Sequence, residues 1–472
     1  MLSTVKPAAG FGNVSAEESA ALQAQEDLFI SKRADLLITN NDIDIDLYDK
    51  YNVKLGLRNK NGTGVCVGLT HIANVHGYEK DEEGNKVPAE GKLLYRGIDV
   101  KHIVEACMAE DRFGFEETTY LLLFGKLPTH EELAEFNTIL GARRNLPPGF
   151  ARDTILSAPS KSIMNMLAKE VLTLYSYDDN PDDTSVENIL RQSISLISYF
   201  PSLVAYSYQA MHAHFENKSL HLHFPRPELS TAENILRLIR PTGEYTELEA
   251  KLLDICLILH AEHGGGNNST FTTHLVSSTG TDTYSAIAAA IGSLKGPKHG
   301  GANLAVSYMI HDFKESVSDI TDYAQIENHM RKIVRGEAND GSGLLYGLGH
   351  AIYTVSDPRA QLLKKMARRL AEESGLMDEF MLYDYIENNG ARIFKEETGI
   401  DASLAANVDL YSGFVYNALG IPTDLATPLF ATARISGWCA HRIEEVTGSN
   451  KIMRPAYQCI VDEGEYVPMG ER

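Results

Sequence analysis

Apolar side chains recur every three or four residues along most of the chain, and several of these segments begin with the same polar signature. At Thr129–Glu132 a Thr is followed three residues later by a Glu, which forms a capping box in front of an apolar helical face. The same arrangement recurs at Ser230–Glu233 and at Thr246–Glu249. Three capped helices in succession predict a mainly α-helical protein.

Other segments are apolar enough to predict buried helices. Tyr284–Leu294 is rich in Ala, which permits close approach by another helix, and Val408–Leu419 and Asp424–Val446 are strongly apolar. Ile194–Met211 is the longest apolar stretch, but it holds four Ser, three Tyr, a Gln and Pro201. Those groups would need partners in hydrocarbon, so the stretch predicts a buried, kinked helix and no membrane partner.

One region departs from the helical pattern. Between Gly64 and Tyr95, the short runs Val65–Leu69 and Lys92–Tyr95 are rich in β-forming residues and flank the polar loop Lys80–Gly91. This pattern predicts a small hairpin. The predicted fold class is therefore all-α, with a minor N-terminal β-hairpin.

Charge and cysteine usage narrow the function classes. The chain has 472 residues, with 43 Lys and Arg against 64 Asp and Glu, and a formal net charge of −21. A surface this acidic repels polyanions, so we expect no nucleic-acid partner. Five cysteines lie far apart without a CxxC pair, and Met1–Gly12 resembles no secretory signal. We expect a cytoplasmic protein in a reducing environment.

Two histidines at the end of the third capped helix are the first candidates for chemistry. His260 and His263 are three residues apart, which places them on one face as potential metal ligands. The spacing differs from that of an HExxH site and no Cys pair accompanies it. A helix-terminal His that stabilises the helix dipole is the better interpretation, and we predict no metal site.

Two further residues suit acid–base work. His299 lies between Gly-Pro and Gly-Gly-Ala, at or just before a helix start, where the dipole favours a neutral ring that donates a hydrogen bond. A His in a surface turn is the alternative. Asp409 is a candidate base or simply a helix cap. The glycine-rich run Gly341–Gly349 follows no clear strand, so a dinucleotide fold is not expected.

Arginines in apolar surroundings complete the set. Arg434 lies in an apolar helix with Trp438 one turn later, which predicts a cation–π pair or a partly buried ion pair if no ligand binds there. Arg454, before Pro455, would ordinarily be a solvated charge. Together, an Asp base, neutral His donors and several Arg suit proton abstraction next to a carbonyl, with substrate carboxylates held by guanidinium groups.

Several motifs resemble, in the same order, those of the citrate synthase family. They extend from about Leu55 to Pro455. The matching segments are Tyr95–Asp99, Phe115–Gly125, Gly296–Asn303, Gly347–Tyr353, Asp357–Arg359, Asn407–Gly413 and Lys451–Pro455.

The resemblance implies an architecture and an activity. It implies an all-α homodimer whose subunit has a large helical domain, residues 1–299 and 421–472, and a smaller helical domain, residues 300–420. Oxaloacetate would bind in the cleft between them and close it. Acetyl-CoA would then condense with oxaloacetate, and citryl-CoA would be hydrolysed to citrate and CoA, as in the first step of the tricarboxylic acid cycle. No metal and no cofactor other than the CoA thioester substrate is implied.

The resemblance also assigns roles. Asp409 would remove a proton from the acetyl methyl group, His299 would hydrogen-bond the thioester oxygen, and His350 would polarise the oxaloacetate carbonyl and protonate the alkoxide. Leu348 and Gly349 would cup the CoA adenine; basic residues that many relatives carry near this loop and before the Asn-Val-Asp motif are absent, which leaves the phosphate ligands open. Four residues would hold oxaloacetate, the last from the neighbouring subunit: His263, Arg359, Arg434 and Arg454.

Three alternatives remain open at this level. A 2-methylcitrate synthase would use propionyl-CoA, which differs by one methylene, and pockets separate such pairs by only about 1–3 kcal/mol. A citryl-CoA-cleaving lyase would use the same site in reverse. A metal-binding or purely structural helical protein, in which the His clusters are incidental, is the third.

Overall fold

The computed structural model describes residues 16–59, 63–82, 86–350, 352–402, 404–448 and 451–472. Its contacts divide the chain into two units. One unit combines Met1–Cys66 with Ala456–Arg472, and the other is Val67–Pro455. The described part of the first unit contains helices α1 (Ala16–Asn41) and α2 (Asp46–Lys50).

The second unit is mostly helical, as predicted. Its described residues form these helices: α3 (Val100–Ala109), α4 (Phe115–Phe124), α5 (His130–Ala142), α6 (Ile163–Leu174), α7 (Val186–Phe215), α8 (Thr231–Ile239), α9 (Glu247–His260), α10 (Asn268–Ser277), α11 (Thr283–Lys295), α12 (Ala302–Ser316), α13 (Tyr323–Val334), α14 (Pro358–Ser374), α15 (Met377–Thr398), α16 (Val408–Ala418) and α17 (Ala426–Thr447).

The three predicted capping boxes all form. They start α5, α8 and α9, where the side chain of Thr129, Ser230 or Thr246 accepts a hydrogen bond from the third residue of the helix. The long apolar stretch around Pro201 is the buried interior of α7, as expected. In the described part of the chain, no helix combines the length and hydropathy that a membrane crossing requires.

The hairpin prediction was half right. Strand β2 (Lys86–Tyr95) contains the predicted second run, but its antiparallel partner is β1 (Ala73–Lys80), and β3 (Ile98–Asp99) adds a short third strand. The predicted first run, Val65–Leu69, is not a strand. Leu69 is 94% exposed, so its β propensity had no neighbouring strand to pack against.

Close backbone approach holds the hairpin against the segment that follows His350. A Cβ at Gly77 would lie 2.2 Å from the carbonyl oxygen of Ile352, and a Cβ at Gly91 would lie 2.1 Å from that of Ser356. Only glycine fits at such distances. The hairpin therefore packs directly against Tyr353, at the end of the motif Gly347–Tyr353.

Helix α17 forms the centre of the core. It packs against α4, α7, α9, α10 and α11, and its residues from Ala431 to Arg442 are buried. Helices α12 to α16 pack against one another, and α9 contacts α14 and α16. The predicted boundary between a large domain and a residue 300–420 domain stays a prediction. No disulfide joins the cysteines of the described residues.

Candidate active site

Arg434 is the most deeply buried charge of the site. It lies on α17 with no exposed surface, and its Nε donates to the carbonyl oxygen of His260 at 2.8 Å. Its guanidinium lies 4.8 Å from the centre of the Phe430 ring, whereas the expected partner Trp438 donates instead to Ser269 Oγ. Among the described residues, no group accepts a hydrogen bond from Nη1 or Nη2. Two buried cationic donors are thus left for an anionic ligand.

Arg359 is the second buried cation, and a carboxylate holds it in place. Asp357 caps α14 by accepting the backbone N–H of Arg359, and its oxygens pair with Nε and Nη2 of the same residue at 3.0 and 2.7 Å. Burial alone would lower the pKa of Arg359, but Asp357 raises it above the usual value. The sequence marked Arg359 as a ligand residue; the role of Asp357 in orienting it emerged only from the structure.

His350 is held as one tautomer. Its Nδ1 accepts the backbone N–H groups of Ile352 and Tyr353 at 3.1 and 3.2 Å. A nitrogen that accepts carries no proton, so the proton of the neutral ring lies on Nε2, which is then a donor. The ring stacks on Tyr353 and meets the His263 ring edge-on, with centres 4.8 and 5.2 Å apart.

His263 and His260 are both neutral. Burial, followed by the charge of Arg359, holds the pKa of each ring well below its usual value. The dipole interpretation of His260 is therefore wrong, because an uncharged ring in the core gives no cationic end to α9. Within the described structure, the Nε2 atoms of His263 and His260 are both buried without a hydrogen-bond partner, and Nδ1 of His260 lies 3.5 Å from Tyr416 Oη.

His299 lies in the turn before α12, as predicted. Its Nε2 accepts the backbone N–H of Ser269 at 3.3 Å and lies 3.0 Å from Ser269 Oγ, which leaves the proton on Nδ1. Burial, together with the charge of Arg434, lowers the pKa of the ring to about 4. The expected neutral donor is present, and its cause is burial and a nearby cation.

Asp409 has the properties of a base that is poised near neutrality. Burial raises its pKa to about 6, against the opposing charge of Arg359. Asn303 hydrogen-bonds its side chain and also donates to Ser412. The helix cap is Asn407, whose Oδ1 accepts the backbone N–H of Asp409 at 3.0 Å. The capping alternative for Asp409 is therefore wrong.

The glycine-rich loop ties His350 to the start of α16. Gly349 N–H donates to Ala405 at 2.7 Å, Asn407 N–H donates to Gly347 at 2.9 Å, and the Asn407 side chain donates to the Gly349 carbonyl at 3.1 Å. Both glycines have positive φ, 86° and 89°. The side chain of Leu348 packs towards Gly390 and is partly buried.

The structure adds two buried tyrosines to which the sequence assigned no role. Tyr353 is fully buried beside His263 and His350, and among described atoms its hydroxyl has no hydrogen-bond partner. Tyr95 Oη donates to the carbonyl oxygen of Ile258 at 2.9 Å, which anchors the hairpin to α9. The motif Gly347–Tyr353 contained the only signal for Tyr353. Arg454 is exposed.

The two buried arginines act electrostatically on the other candidate site residues. The charges of Arg359 and Arg434 act on both His263 and Asp409, and Arg434 acts on His299. His263, His299, His350, Arg359, Arg434 and Asp409 thus form one cluster, which we call the arginine site. The metal-compatible grouping among the described residues lies elsewhere, at His274, His441 and Glu444, and does not include His260 or His263.

Comparison with known proteins gives one family. Residues 61–456 match the family model described as citrate synthase, C-terminal domain. Citrate synthase of Haloferax volcanii is 34% identical over 81% of this chain and 93% of that protein. The 2-methylcitrate synthase 1 of Corynebacterium glutamicum is also 34% identical, over 82% of this chain and 94% of its own length.

A solved structure gives the same result for the fold. It is the ternary complex of carboxymethyl coenzyme A and oxaloacetate with citrate synthase from Thermoplasma acidophilum. This chain superimposes on it with a TM-score of 0.69 and 27% identity, covering 86% of this chain and 97% of the other.

Proposed function

The chain belongs to the citrate synthase family, and from that premise we propose that it condenses acetyl-CoA with oxaloacetate and hydrolyses the resulting citryl-CoA to citrate and CoA. This acyltransferase reaction is the entry step of the tricarboxylic acid cycle. The observation that carries the proposal is the pair of buried, unpartnered Nη groups of Arg434 beside neutral imidazoles and a carboxylate of raised pKa.

Oxaloacetate is a dianion, and the arginine site supplies cations for it. Nη1 and Nη2 of Arg434 give a planar pair of donors that matches a carboxylate, and Arg359 adds a second charge. The buried His263 Nε2 is available for a further hydrogen bond. Burial of a guanidinium group costs free energy because the charge loses its hydration. A carboxylate ligand offsets that cost by pairing with the buried charge.

Enolisation of the acetyl group needs a base and a hydrogen-bond donor at once. Asp409, with a pKa of about 6, is ionised at neutral pH and accepts a proton from the methyl carbon. The His299 Nδ1–H donates to the thioester oxygen as that oxygen gains negative charge. A positioned base accelerates such a step by about 10²–10⁴-fold. A single oxyanion donor contributes about 10²–10³-fold to the rate.

Carbon–carbon bond formation turns the oxaloacetate ketone into an alkoxide. The Nε2–H of His350 points its hydrogen bond at the ketone oxygen and then gives its proton to the alkoxide. The backbone N–H groups on Nδ1 fix the ring for this transfer. Water then attacks the thioester carbonyl of citryl-CoA and gives a proton back to the His350 ring, and the departing CoA thiolate takes the proton that Asp409 removed. Both side chains return to their starting states, and CoA leaves as a free thiol. The backbone of Leu348 and Gly349 would border the CoA adenine.

The decisive measurement is thiol release. Purified protein supplied with oxaloacetate and acetyl-CoA should release free CoA at a rate that depends on both substrates, and the absence of release would overturn the proposal. One citrate synthase and one 2-methylcitrate synthase are each 34% identical to this chain, so the same assay with propionyl-CoA decides the substrate. We expect a higher kcat/KM for acetyl-CoA.

The quaternary proposal is a homodimer in which Arg454 completes the partner's site. Its support is the exposure of Arg454 in the single chain and the solvated segment around it. Co-expression of Asp409→Ala with Arg454→Ala tests this. In a symmetric dimer that shares Arg454, the mixed dimers regain one intact site, so about a quarter of all sites become active. Activity no higher than that of either variant alone would place Arg454 in its own subunit's site or outside both.

The unbridged cysteines suit the reducing cytoplasm.

A further inference from the structure

A row of buried ionisable side chains runs from α17 to the arginine site. His274 Nδ1 contacts Glu445 Oε2 at 2.7 Å, and His274 Nε2 contacts His441 Nδ1 at 2.8 Å. On its other side, His441 Nε2 forms an ion pair with Glu262 Oε1 at 3.1 Å. We call these four residues the His441 chain. His441 and Glu262 have no exposed surface.

The contacts along the row, together with the raised pKa of His441, favour one arrangement of the protons. His441 faces a carboxylate on Nε2 and an imidazole nitrogen on Nδ1, so protons on both nitrogens let it donate in both directions. His274 then accepts on Nε2 and donates from Nδ1 to Glu445. Burial alone would lower the pKa of His441, but Glu262 and Glu444 raise it to about 9. The same imidazolium, with the charge of Arg434, holds the pKa of Glu262 below its usual value against the effect of burial.

Glu262 connects this row to the arginine site. It immediately precedes His263 in the chain, and its negative charge acts on Arg434. Gly437 leaves the room that the carboxylate needs, because a Cβ there would lie 2.2 Å from Glu262 Oε2. The location of the carboxylate is therefore tightly determined by α17.

We propose that His441 is a positioning residue for oxaloacetate: it fixes the Glu262 carboxylate, which lies next to His263 in the chain and offsets the charge of Arg434. This inference rests on the proposed function, because it assumes that His263 and Arg434 hold that substrate. His441 touches no reacting atom. Its loss would shift His263 and leave Glu262 as an unpaired buried charge beside Arg434.

A metal ion is the competing interpretation of the same cluster, since His274, His441 and Glu444 have ligand atoms within 4.8 Å of one another. Two His ligands on one tetrahedral Zn²⁺ would have their nitrogens about 3.3 Å apart, given the usual Zn–N distances. The observed 2.8 Å is the separation of a direct hydrogen bond. The geometry thus favours a shared proton over a shared metal.

The test compares His441→Asn with His329→Asn. His329 is a matched control, because it is buried and pairs with Asp312 at 2.7 Å between α12 and α13. The chain has a single tryptophan, Trp438, which hydrogen-bonds Ser269 beside His299, so we expect its fluorescence to change when oxaloacetate binds; calorimetry gives the same Kd without this probe. We expect His441→Asn to raise the Kd and KM for oxaloacetate about tenfold or more, while the KM for acetyl-CoA changes little. His329→Asn should leave both substrate constants unchanged.

A pH titration separates positioning from simple structural support. The ionisable groups that face His441 are Glu262 after α9, His274 on α10, and Glu444 on α17, which in turn contacts His71 before β1. In the wild-type protein the KM for oxaloacetate should rise as the pH passes about 9, where His441 loses its proton. This rise should be absent in His441→Asn, whose oxaloacetate KM is already high at neutral pH.

Further variants keep the test decisive. If His441→Asn does not fold, Glu445→Gln at the outer end of the chain should weaken oxaloacetate binding in the same direction and by less. The double variant Glu262→Gln/His441→Asn should cost no more than the larger single change, because both act through one pair.

The outcomes distinguish the two proposals. If the wild-type protein releases no CoA from acetyl-CoA and oxaloacetate, the proposed function is refuted, and the positioning role with it. A normal wild-type response with an unchanged oxaloacetate Kd in His441→Asn or, if that variant does not fold, in Glu445→Gln would refute the positioning role alone. Stoichiometric zinc in the purified protein, lost in His441→Asn, would also refute it.

Discussion

Arg434 and His441 lie about two turns apart on α17, yet the histidines around them carry different charges. Near Arg434, burial and the neighbouring guanidinium groups hold the pKa of His263 well below its usual value and that of His299 at about 4. Around His441, burial acts in the same direction, but Glu262 and Glu444 raise the pKa to about 9.

The difference shows that burial alone does not decide whether a histidine is charged. The neutral rings of the arginine site are suited to donate single hydrogen bonds to substrate oxygens. The charged ring of the His441 chain is suited to hold carboxylates in place. One helix supplies the cation for the first group and the central imidazole of the second, so changes along α17 should affect the two regions differently.

The largest expected effect is that of Asp409→Asn in the arginine site. The amide keeps the shape but accepts no proton from carbon, so kcat should fall by about 10²–10⁴-fold. Oxaloacetate binding, followed by Trp438 fluorescence, and the melting temperature should stay close to those of the wild-type protein. A variant that retains most of its turnover would contradict the assignment of Asp409 as the base.

Arg434→Gln removes the buried cation without replacing any residue of the His441 chain. Because a buried, charge-assisted interaction with a carboxylate is worth about 2–5 kcal/mol, kcat/KM for oxaloacetate should fall by about 30- to 5,000-fold. Arg442→Gln is the matched control, since Arg442 is as deeply buried on the same helix and donates to the Thr281 carbonyl. Arg442→Gln should lower stability without a comparable change in oxaloacetate KM; equal effects would argue against a ligand at Arg434.

Gly437→Ala tests the steric link between the two regions. The new methyl group would lie 2.2 Å from Glu262 Oε2 and 2.5 Å from the Ala261 carbonyl oxygen. Overpacking of this kind costs about 1–3 kcal/mol in the free energy of unfolding, measured by denaturant titration. Oxaloacetate KM should rise as well. Gly292→Ala on α11 has no heavy atom within 4 Å and should cost nothing, so an equal loss there would refute the steric argument.

The smallest effects are expected from pH. The pKa of Asp409 is raised to about 6 in the folded protein, so kcat/KM should rise with pH through about 6 as the base ionises. The same shift means that the contribution of Asp409 to stability falls as pH rises from its unfolded value through 6. The contribution of His441 is lost over a higher window, from its unfolded value through about 9. In Asp409→Asn, the free energy of unfolding should lose its dependence on pH in the Asp409 window and keep it in the His441 window. Denaturant unfolding at several pH values measures both.

Part of the fold was predictable because helix starts depend on neighbours in sequence. The capping boxes of α5, α8 and α9 each join residues three apart, and all formed as expected. The hairpin was less predictable, because strand pairing joins residues far apart and depends on what packs on each face. Val65–Leu69 has the composition of a strand, but Ala73–Lys80 is the segment that pairs with β2.

The sequence by itself determined the helical class, the order of the motifs and which residue types are available for chemistry, since these depend on short segments. Only the tertiary structure decided the charge state of each group. Partners such as Ser269 with His299, Asn303 with Asp409, and Glu262 with His441 are 30 to 179 residues apart. Coulomb and desolvation energies depend on distance in space and on burial, and neither quantity exists until the chain has folded.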